Sequence, residues 1–174
     1  MNHRDPEGSF TLRRLGSADA VDYRALRLVG LKDHPESFGA SWEDEVGKPL
    51  AWFAERLENN FVLGGWFGSE APAGVAGLHS PGGKRGHKAM LWGTFVRPDT
   101  RRRGFAAALV DRLVEEARGV FEEVTLSVVA SNKAAVRLYL GAGFREYGRE
   151  RRALKIGDAH FDEILMALPL GGRR

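Results

Sequence analysis

A stretch of ten residues, 97–106, carries the clearest chemical signal in this sequence. It contains four arginines and two small residues, Gly104 and Ala106, and it lies where a strand would pass into a helix. The first amide N–H groups of a helix lack partners within the helix, and the helix dipole adds partial positive charge there. The stretch therefore predicts a binding site for a phosphate group, although solvated arginines at an ordinary helix end would give the same spacing.

A second group of residues follows about thirty positions later, behind another short strand. Asn132 and Tyr139 are seven positions apart, or about two helical turns, so their side chains lie on one face of a helix. Gly141 and Gly143 then end that helix. An amide that can hold a polar ligand and a phenol that can donate a proton are therefore predicted to face the same way.

The elements that must position these residues follow from hydrophobic periodicity. Alternating and β-branched apolar residues predict strands at residues 9–15, 61–67, 73–79, 88–96, 124–130, 144–154 and 161–168. Helical spacing predicts helices that start near Ser17 or Asp19, at Pro49, before Ala106 and at Ser131 or Asn132. In the first helix, the predicted inward positions are Val21, Leu26, Leu28 and Val29.

The order of these elements predicts a single α/β domain over residues 9–169. Residues 1–8 are expected to be a frayed N-terminus and residues 170–174 a flexible tail.

The two chemical groups resemble the signatures of the GCN5-related N-acetyltransferases. Arg101-x-x-Gly104-x-Ala106 after a strand is similar to the Q/R-x-x-G-x-G/A signature, and residues 132–144 are similar to the N-x-x-A-x-x-x-Y-x-x-x-G-F segment. The resemblance covers residues 88–147. It implies an α/β (α+β) fold with a mixed, mostly antiparallel central sheet of about six to seven strands, flanked by about four helices, whose splayed central strands form a CoA cleft.

The resemblance also implies an activity, which is direct transfer of acetyl from acetyl-CoA to a primary amine of a small molecule, peptide or protein. Strand backbone would pair with the pantetheine arm, helix amides would hold the diphosphate, and Asn132 would bond the arm from the other side. The implied cofactor-binding residues are Phe95, Val96, Arg97, Arg101, Arg102, Arg103, Gly104, Phe105, Ala106, Asn132 and Arg137.

Tyr139 is the general acid that the resemblance implies, because a phenol is protonated at neutral pH and can donate to the leaving thiolate. Some relatives carry a glutamate as base near the position of Met90, but residues 90–96 contain no carboxylate. The amine is therefore expected to lose its proton through water. The candidates for the far end of that route are Glu43, Glu45, His79 and His87.

Composition restricts the remaining chemistry. The chain has 174 residues, 43% of them hydrophobic and 28% charged, which is usual for a globular protein. It contains no cysteine, so disulfides, thiolate metal sites and a cysteine nucleophile are excluded, and a reducing cytoplasm is expected. The five histidines show no paired ligand spacing, so no metal is expected. No apolar stretch is long enough to span a membrane.

Two alternatives from other functional classes remain open. The missing strand carboxylate would suit a non-catalytic sensor that binds CoA without transferring acetyl. The arginine cluster, with a net charge of +3 for the chain, would suit a module that binds anions or nucleic acid, which is the less favoured alternative. A homodimer is possible because dimers are common among the proteins that the chain resembles.

Overall fold

The computed structural model of the protein describes residues 10–68 and 71–171, which form one seven-stranded sheet with helices on both faces. The strands are β1 (Phe10–Arg14), β2 (Phe61–Phe67), β3 (Gly74–His79), β4 (Lys88–Val96), β5 (Glu123–Val129), β6 (Arg145–Ile156) and β7 (Ala159–Pro169). The helices in these ranges are α1 (Ala20–Asp33), α2 (Trp42–Val46), α3 (Leu50–Asn59), α4 (Phe105–Ala117) and α5 (Lys133–Gly141). The α/β class predicted from the sequence is confirmed, and the five-residue α2 is the helix that the sequence did not predict.

The sheet has the strand order β1-β2-β3-β4-β5-β7-β6. Five of its neighbouring pairs are antiparallel, and only β4 and β5 run parallel. The mostly antiparallel sheet expected from the resemblance is therefore confirmed. The single parallel pair requires a crossover connection, which α4 provides on one face of the sheet.

Two hydrophobic cores lie on opposite faces of this sheet. One packs α4 and α5 against the strands, and Leu109 and Leu113 of α4 are completely buried there beside Val124 of β5. The other packs α1 and α3 against the opposite face, with Leu26 and Phe53 completely buried. The helix predicted to start before Ala106 is thus α4, and its apolar stripe is buried in the first of these cores.

The predicted inward face of α1 is partly wrong. Val21 is 63% exposed and Val29 is 37% exposed, whereas Tyr23 and Leu31 lie in the core. The buried positions follow the helical period, but one of them is a charged residue, Arg27. A search for apolar residues alone therefore selects a face rotated away from the true one.

The folded part of the chain extends beyond the predicted boundary at residue 169. Leu170 is buried, its N–H donates to the carbonyl of Glu122 (2.8 Å), and its carbonyl accepts from Arg118 Nη1 (3.3 Å). Residues 1–8 and 172–174, which were predicted to be frayed or flexible, lie outside the described residues.

None of the helices within residues 10–68 and 71–171 is long and apolar enough to cross a membrane.

Candidate active site

An opening in the sheet lies between β4 and β5. These strands pair only at Lys88–Met90 and Glu123–Thr125, although β4 continues to Val96 and β5 to Val129. A bulge in β4 follows Trp92, where Gly93 takes a φ of 65°, and it bends the strand. The backbone groups that would have bonded across the two strands are thus free to receive an extended ligand, as the splayed cleft of the resemblance requires.

The loop before α4 brings free backbone amides to one end of this opening. Arg102 and Gly104 have φ values of 64° and 72°, in the left-handed region, so the chain turns sharply into the helix. Within the described residues, the first backbone bond of α4 runs from Ala108 N–H to the Gly104 carbonyl (3.0 Å), and Gly104 provides no side-chain cap. A Cβ at Gly104 would meet nothing within 4 Å, so a ligand can reach these amides.

Two arginines of this loop contact the elements on either side of it. Arg101 donates from Nε to the Val96 carbonyl (3.0 Å), and its Nη2 lies 3.5 Å from His34 Nε2. The guanidinium of Arg103 lies 5.2 Å from the centre of the Phe67 ring. All three arginines from 101 to 103 are solvent-exposed, and they lie in the loop directly before α4.

Two donors of Arg97, another predicted cofactor-binding residue, form hydrogen bonds within the fold. Its N–H donates to the Ala73 carbonyl (2.8 Å), and its Nε donates to the Pro72 carbonyl (3.1 Å), both on the β3 side. The side chains of Phe95 and Phe105 are buried in the two cores, so only their backbone groups can take part in binding.

Asn132 begins α5 on the other side of the opening. Its Oδ1 accepts from Ala135 N–H (3.1 Å), which makes it the N-cap of the helix, and its Nδ2 lies 3.5 Å from Ser37 Oγ. Because this capping bond uses only one lone pair of Oδ1, Asn132 retains hydrogen-bonding capacity. Arg137 is exposed on the same helix.

The turn between α1 and α2 spans the opening on the face that α1 covers. His34 contacts Arg101 and lies 5.9 Å from the Phe95 ring, on the β4 side. Ser37 contacts Asn132 on the β5 side. This rim was not predicted as one feature, because its contacts join residues that are far apart in sequence.

Tyr139 is buried, at 7% exposure, and its ring packs edge-on against Phe144 with 5.9 Å between the ring centres. Burial raises the pKa of the Tyr139 phenol, and the neighbouring Thr94 hydroxyl acts in the opposite direction. The Thr94 hydroxyl has no hydrogen-bond partner of good geometry, so it lies beside the phenol without a tight bond to it. Since Thr94 belongs to β4, the phenol is placed at the opening and stays protonated at neutral pH.

Glu45, a candidate for the proton route, is instead part of a buried ion network. Its Oε1 and Oε2 accept from Arg27 (2.8 and 2.9 Å), and Oε1 also accepts from Arg56 (3.0 Å). Burial would raise the pKa of Glu45, but the hydrogen bonds and charges of the two arginines outweigh it and hold the pKa below the ordinary value. A carboxylate neutralised in this way is a poor proton acceptor.

The other three candidates for the proton route lie on the surface. His79 pairs with Asn60 Oδ1 (2.8 Å) opposite Met90, four residues before Thr94, or about 13 Å along the strand. His87 precedes β4 and is farther still, at about 23 Å. Glu43 is exposed in the first turn of α2. None of them is brought close to Tyr139 by the contacts described.

Sequence reasoning missed one carboxylate near the opening, Glu163 of β7. It lies beside the Ser127 hydroxyl of β5 and directly opposite Glu150 of β6. The available signal was a pair of acidic residues, Asp162 and Glu163, directly before the apolar run of this strand. Within the described ranges, no group of three or more His, Asp or Glu side chains could hold a metal ion.

A model of the acetyltransferase (GNAT) family matches residues 29–144 of this chain. The [ribosomal protein bS18]-alanine N-acetyltransferase of Salmonella typhimurium is 40% identical over 85 residues, which are 48% of this chain and 57% of that protein. The chain therefore spans little more than half the length of this curated relative.

Two solved structures share the fold. An acetyltransferase of the GNAT family from Streptococcus pneumoniae superposes with a TM-score of 0.82 over 93% of this chain and 99% of that chain, at 23% identity. The yncA protein of Salmonella typhimurium, solved with its cofactor acetyl-CoA, superposes with a TM-score of 0.77 over 95% of this chain and 96% of that chain, at 20% identity.

Proposed function

Since this chain belongs to the acetyltransferase (GNAT) family, we propose that it is an N-acetyltransferase that uses acetyl-CoA and passes acetyl directly to a primary amine. The observation that carries the proposal is the opening between β4 and β5, with accessible helix amides at one end and the Tyr139 phenol at its side. A binding module would need the amides and arginines only. The buried phenol is the group that points to chemistry.

The residues present fit acetyl-CoA. The amides of residues 102–106 would hold its diphosphate, with the exposed arginines 101–103 adding positive charge. The backbone of Phe95 and Val96 and the amide of Asn132 would hold the pantetheine arm, and Arg137 would meet the adenosine phosphate. Bound acetyl-CoA supplies the acetyl group as a reactive thioester. The N–H and Nε of Arg97 donate within the fold, so the contribution of Arg97 to this set would come from its terminal guanidinium N–H groups.

Tyr139 would act on the leaving group. A thiol of pKa about 8.5 leaves as a thiolate, and a phenol of pKa near 10 is protonated at neutral pH and can donate to it. A positioned acid of this kind contributes about 10²–10⁴-fold to the rate. The raised pKa of Tyr139 keeps the donor in its protonated form over the whole neutral range.

The acceptor would be the primary amine of a small molecule or of a peptide. The similarity to a [ribosomal protein bS18]-alanine N-acetyltransferase supports a peptide with an N-terminal alanine as the first acceptor to test. The experiment measures thiol release from acetyl-CoA with an alanyl peptide, a lysine-containing peptide and a polyamine. Turnover of one acceptor supports the proposal. Tight CoA binding with no thiol release would support the sensor instead.

The role of Tyr139 is tested by Tyr139→Phe. We expect kcat to fall about 10²–10⁴-fold because the proton donor is lost, with the KM for acetyl-CoA changing little. Tyr147→Phe is the matched control, because Tyr147 is 62% exposed on β6 and should keep native activity. Equal kcat values for the native protein and Tyr139→Phe would show that Tyr139 is not the general acid.

A cytoplasmic location and a homodimer stay predictions from the sequence.

A further inference from the structure

The opening between β4 and β5 is also bordered by the face of the sheet opposite α4. Leu126 and Val128 of β5 point into the core beside α4, so Ser127 points to the other face, where it is exposed. The turn Pro35–Ser37 lies against β5 and β6 on this face. Tyr139 packs in the α4 core, so the sheet has the phenol on one face and Ser127 on the other.

Ser127 lies in the part of β5 that borders the opening. The register pairs Lys88 with Glu123 and Met90 with Thr125, and continuing it places Trp92 at the level of Ser127. Thr94, which neighbours the Tyr139 phenol, comes two residues later, or about 7 Å along the strand. Ser127 on one face and the phenol on the other therefore border the opening about two residues apart along the strands.

Glu163 is the carboxylate beside Ser127. It is half-buried on β7, next to the Ser127 hydroxyl of β5 and directly opposite Glu150 of β6. Among the described residues, neither Glu163 nor Glu150 forms an ion pair with a lysine or arginine. Like charges placed directly opposite each other on a sheet destabilise it, so this pair costs stability that a neutral pair would not.

The protonation behaviour of Glu163 agrees with this geometry. Burial raises the pKa of Glu163, the Ser127 hydroxyl lowers it, and the charge of Glu150 raises it again, with a net increase. The other charged residues nearby are Asp162, whose Oδ1 accepts from Arg152 N–H, and Glu36 on the turn. Of these groups, Glu150 is the one whose charge acts on the pKa of Glu163.

We propose that Glu163, directly or through the Ser127 hydroxyl, is the base that removes a proton from the acceptor ammonium. This inference rests on the proposed function. It places the base and the acid on opposite faces of the sheet, with the opening between β4 and β5 connecting them.

The proton balance of the step is complete. The Glu163 carboxylate takes one proton from the ammonium, the nitrogen lone pair forms the C–N bond to the acetyl carbon, and the C–S bond breaks. The thiolate takes the proton of Tyr139, and the phenolate regains a proton from the acetylated nitrogen. Glu163 then releases its proton to solvent, so the products are the amide, the free thiol and one proton.

The test compares kcat/KM for the alanyl peptide from pH 6 to pH 9 in the native protein and in Glu163→Gln. With the base present, kcat/KM of the native protein decreases at low pH only as the carboxyl group of Glu163 becomes protonated. Without it, only the neutral amine reacts, and the acid limb moves to the pKa of the peptide amine, about 8. The expected loss is therefore about 100-fold at pH 6, about tenfold at pH 7 and less than about threefold at pH 9.

The matched control is Glu146→Gln, an exposed carboxylate on β6, which should follow the native profile at every pH. A loss in Glu163→Gln that is equal at all pH values, or no loss at all, would overturn the inference. A thermal melt checks that the variant is folded. These results are distinct from failure of the proposed function, in which the native protein itself would release no thiol with any acceptor.

Discussion

Glu45 and Glu163 are two carboxylates on the same side of the sheet, and their surroundings are opposite. Glu45 is 3% exposed and accepts hydrogen bonds from Arg27 and Arg56, so its charge is fully compensated. Glu163 is only half-buried, faces Glu150 and forms no ion pair with the described lysines and arginines. The pKa is lowered in the first case and raised in the second.

The difference separates a structural role from a chemical one. The network around Glu45 is surrounded by aromatic rings, with the Arg56 guanidinium 4.1 Å from the centre of the Trp52 ring and 5.1 Å from that of Trp92. It joins α1, α2 and α3. Both oxygens of the Glu45 carboxylate accept hydrogen bonds from arginines, so the carboxylate does not exchange protons with solvent. Glu163 keeps free acceptor capacity next to the opening, and a free acceptor is what proton transfer requires.

The largest effect should come from breaking the compensated network with Glu45→Ala. We expect the free energy of unfolding at pH 7 to fall by about 3–5 kcal/mol, because Arg27 would be left buried without a counter-charge. Urea unfolding measures the change. Glu43→Ala is the control, since Glu43 is exposed on the same helix and should change stability by less than about 0.5 kcal/mol.

The pH dependence of this loss has a definite sign. Because the folded-state pKa of Glu45 is lowered, its contribution is fully present above the unfolded value of about 4.3 and is lost as the pH falls toward the folded pKa. The gap between the native protein and Glu45→Ala should therefore narrow below about pH 4. A gap that stays constant down to pH 3 would show that lost packing, rather than the ion network, causes the effect.

An intermediate effect, confined to ligand binding, is expected at Gly104. The first amide N–H groups of α4 lie next to it and have no hydrogen-bond acceptor within the helix. In Gly104→Val the side chain would project into the open space before the helix amides, and we expect the Kd for CoA to rise about 10–100-fold, or about 1.4–2.8 kcal/mol. Gly157→Val controls for backbone strain, because Gly157 also has a positive φ (58°) and open space around it. Equal Kd values for CoA in the two variants, measured by calorimetry, would show that this loop does not bind the diphosphate.

The smallest effect should come from relieving the uncompensated pair with Glu150→Gln. Removing the like charge should raise the free energy of unfolding at pH 7 by about 0.2–1 kcal/mol. A carboxyl whose folded pKa is raised opposes folding above that pKa and stops doing so below the unfolded value. The gain in the free energy of unfolding should thus vanish below about pH 4. If Glu150→Gln is less stable than the native protein at pH 7, the charges of Glu150 and Glu163 are compensated, as that of Glu45 is.

Local features of this protein were predictable because they depend on neighbouring residues. The stripe of α4, the loop before it and the strands β2 and β4 follow from spacing within one segment. The buried face of α1 could not be predicted from the spacing of apolar residues, because a buried arginine, Arg27, occupies a core position there. Its partner Glu45 is 18 residues away in the sequence, so nothing local indicates that the charge is compensated.

The sequence by itself determined the order of the elements other than α2, and the spacing of the residues before α4 and in α5, since each depends on contacts within a few turns of chain. The acid role of Tyr139 is what the resemblance implies. Only the tertiary structure decided which carboxylate is free and which is neutralised. The surroundings of Glu45 and Glu163 are built by separate helices and strands, and a carboxyl group takes its pKa from whatever charge, hydroxyl or apolar surface those elements bring to it.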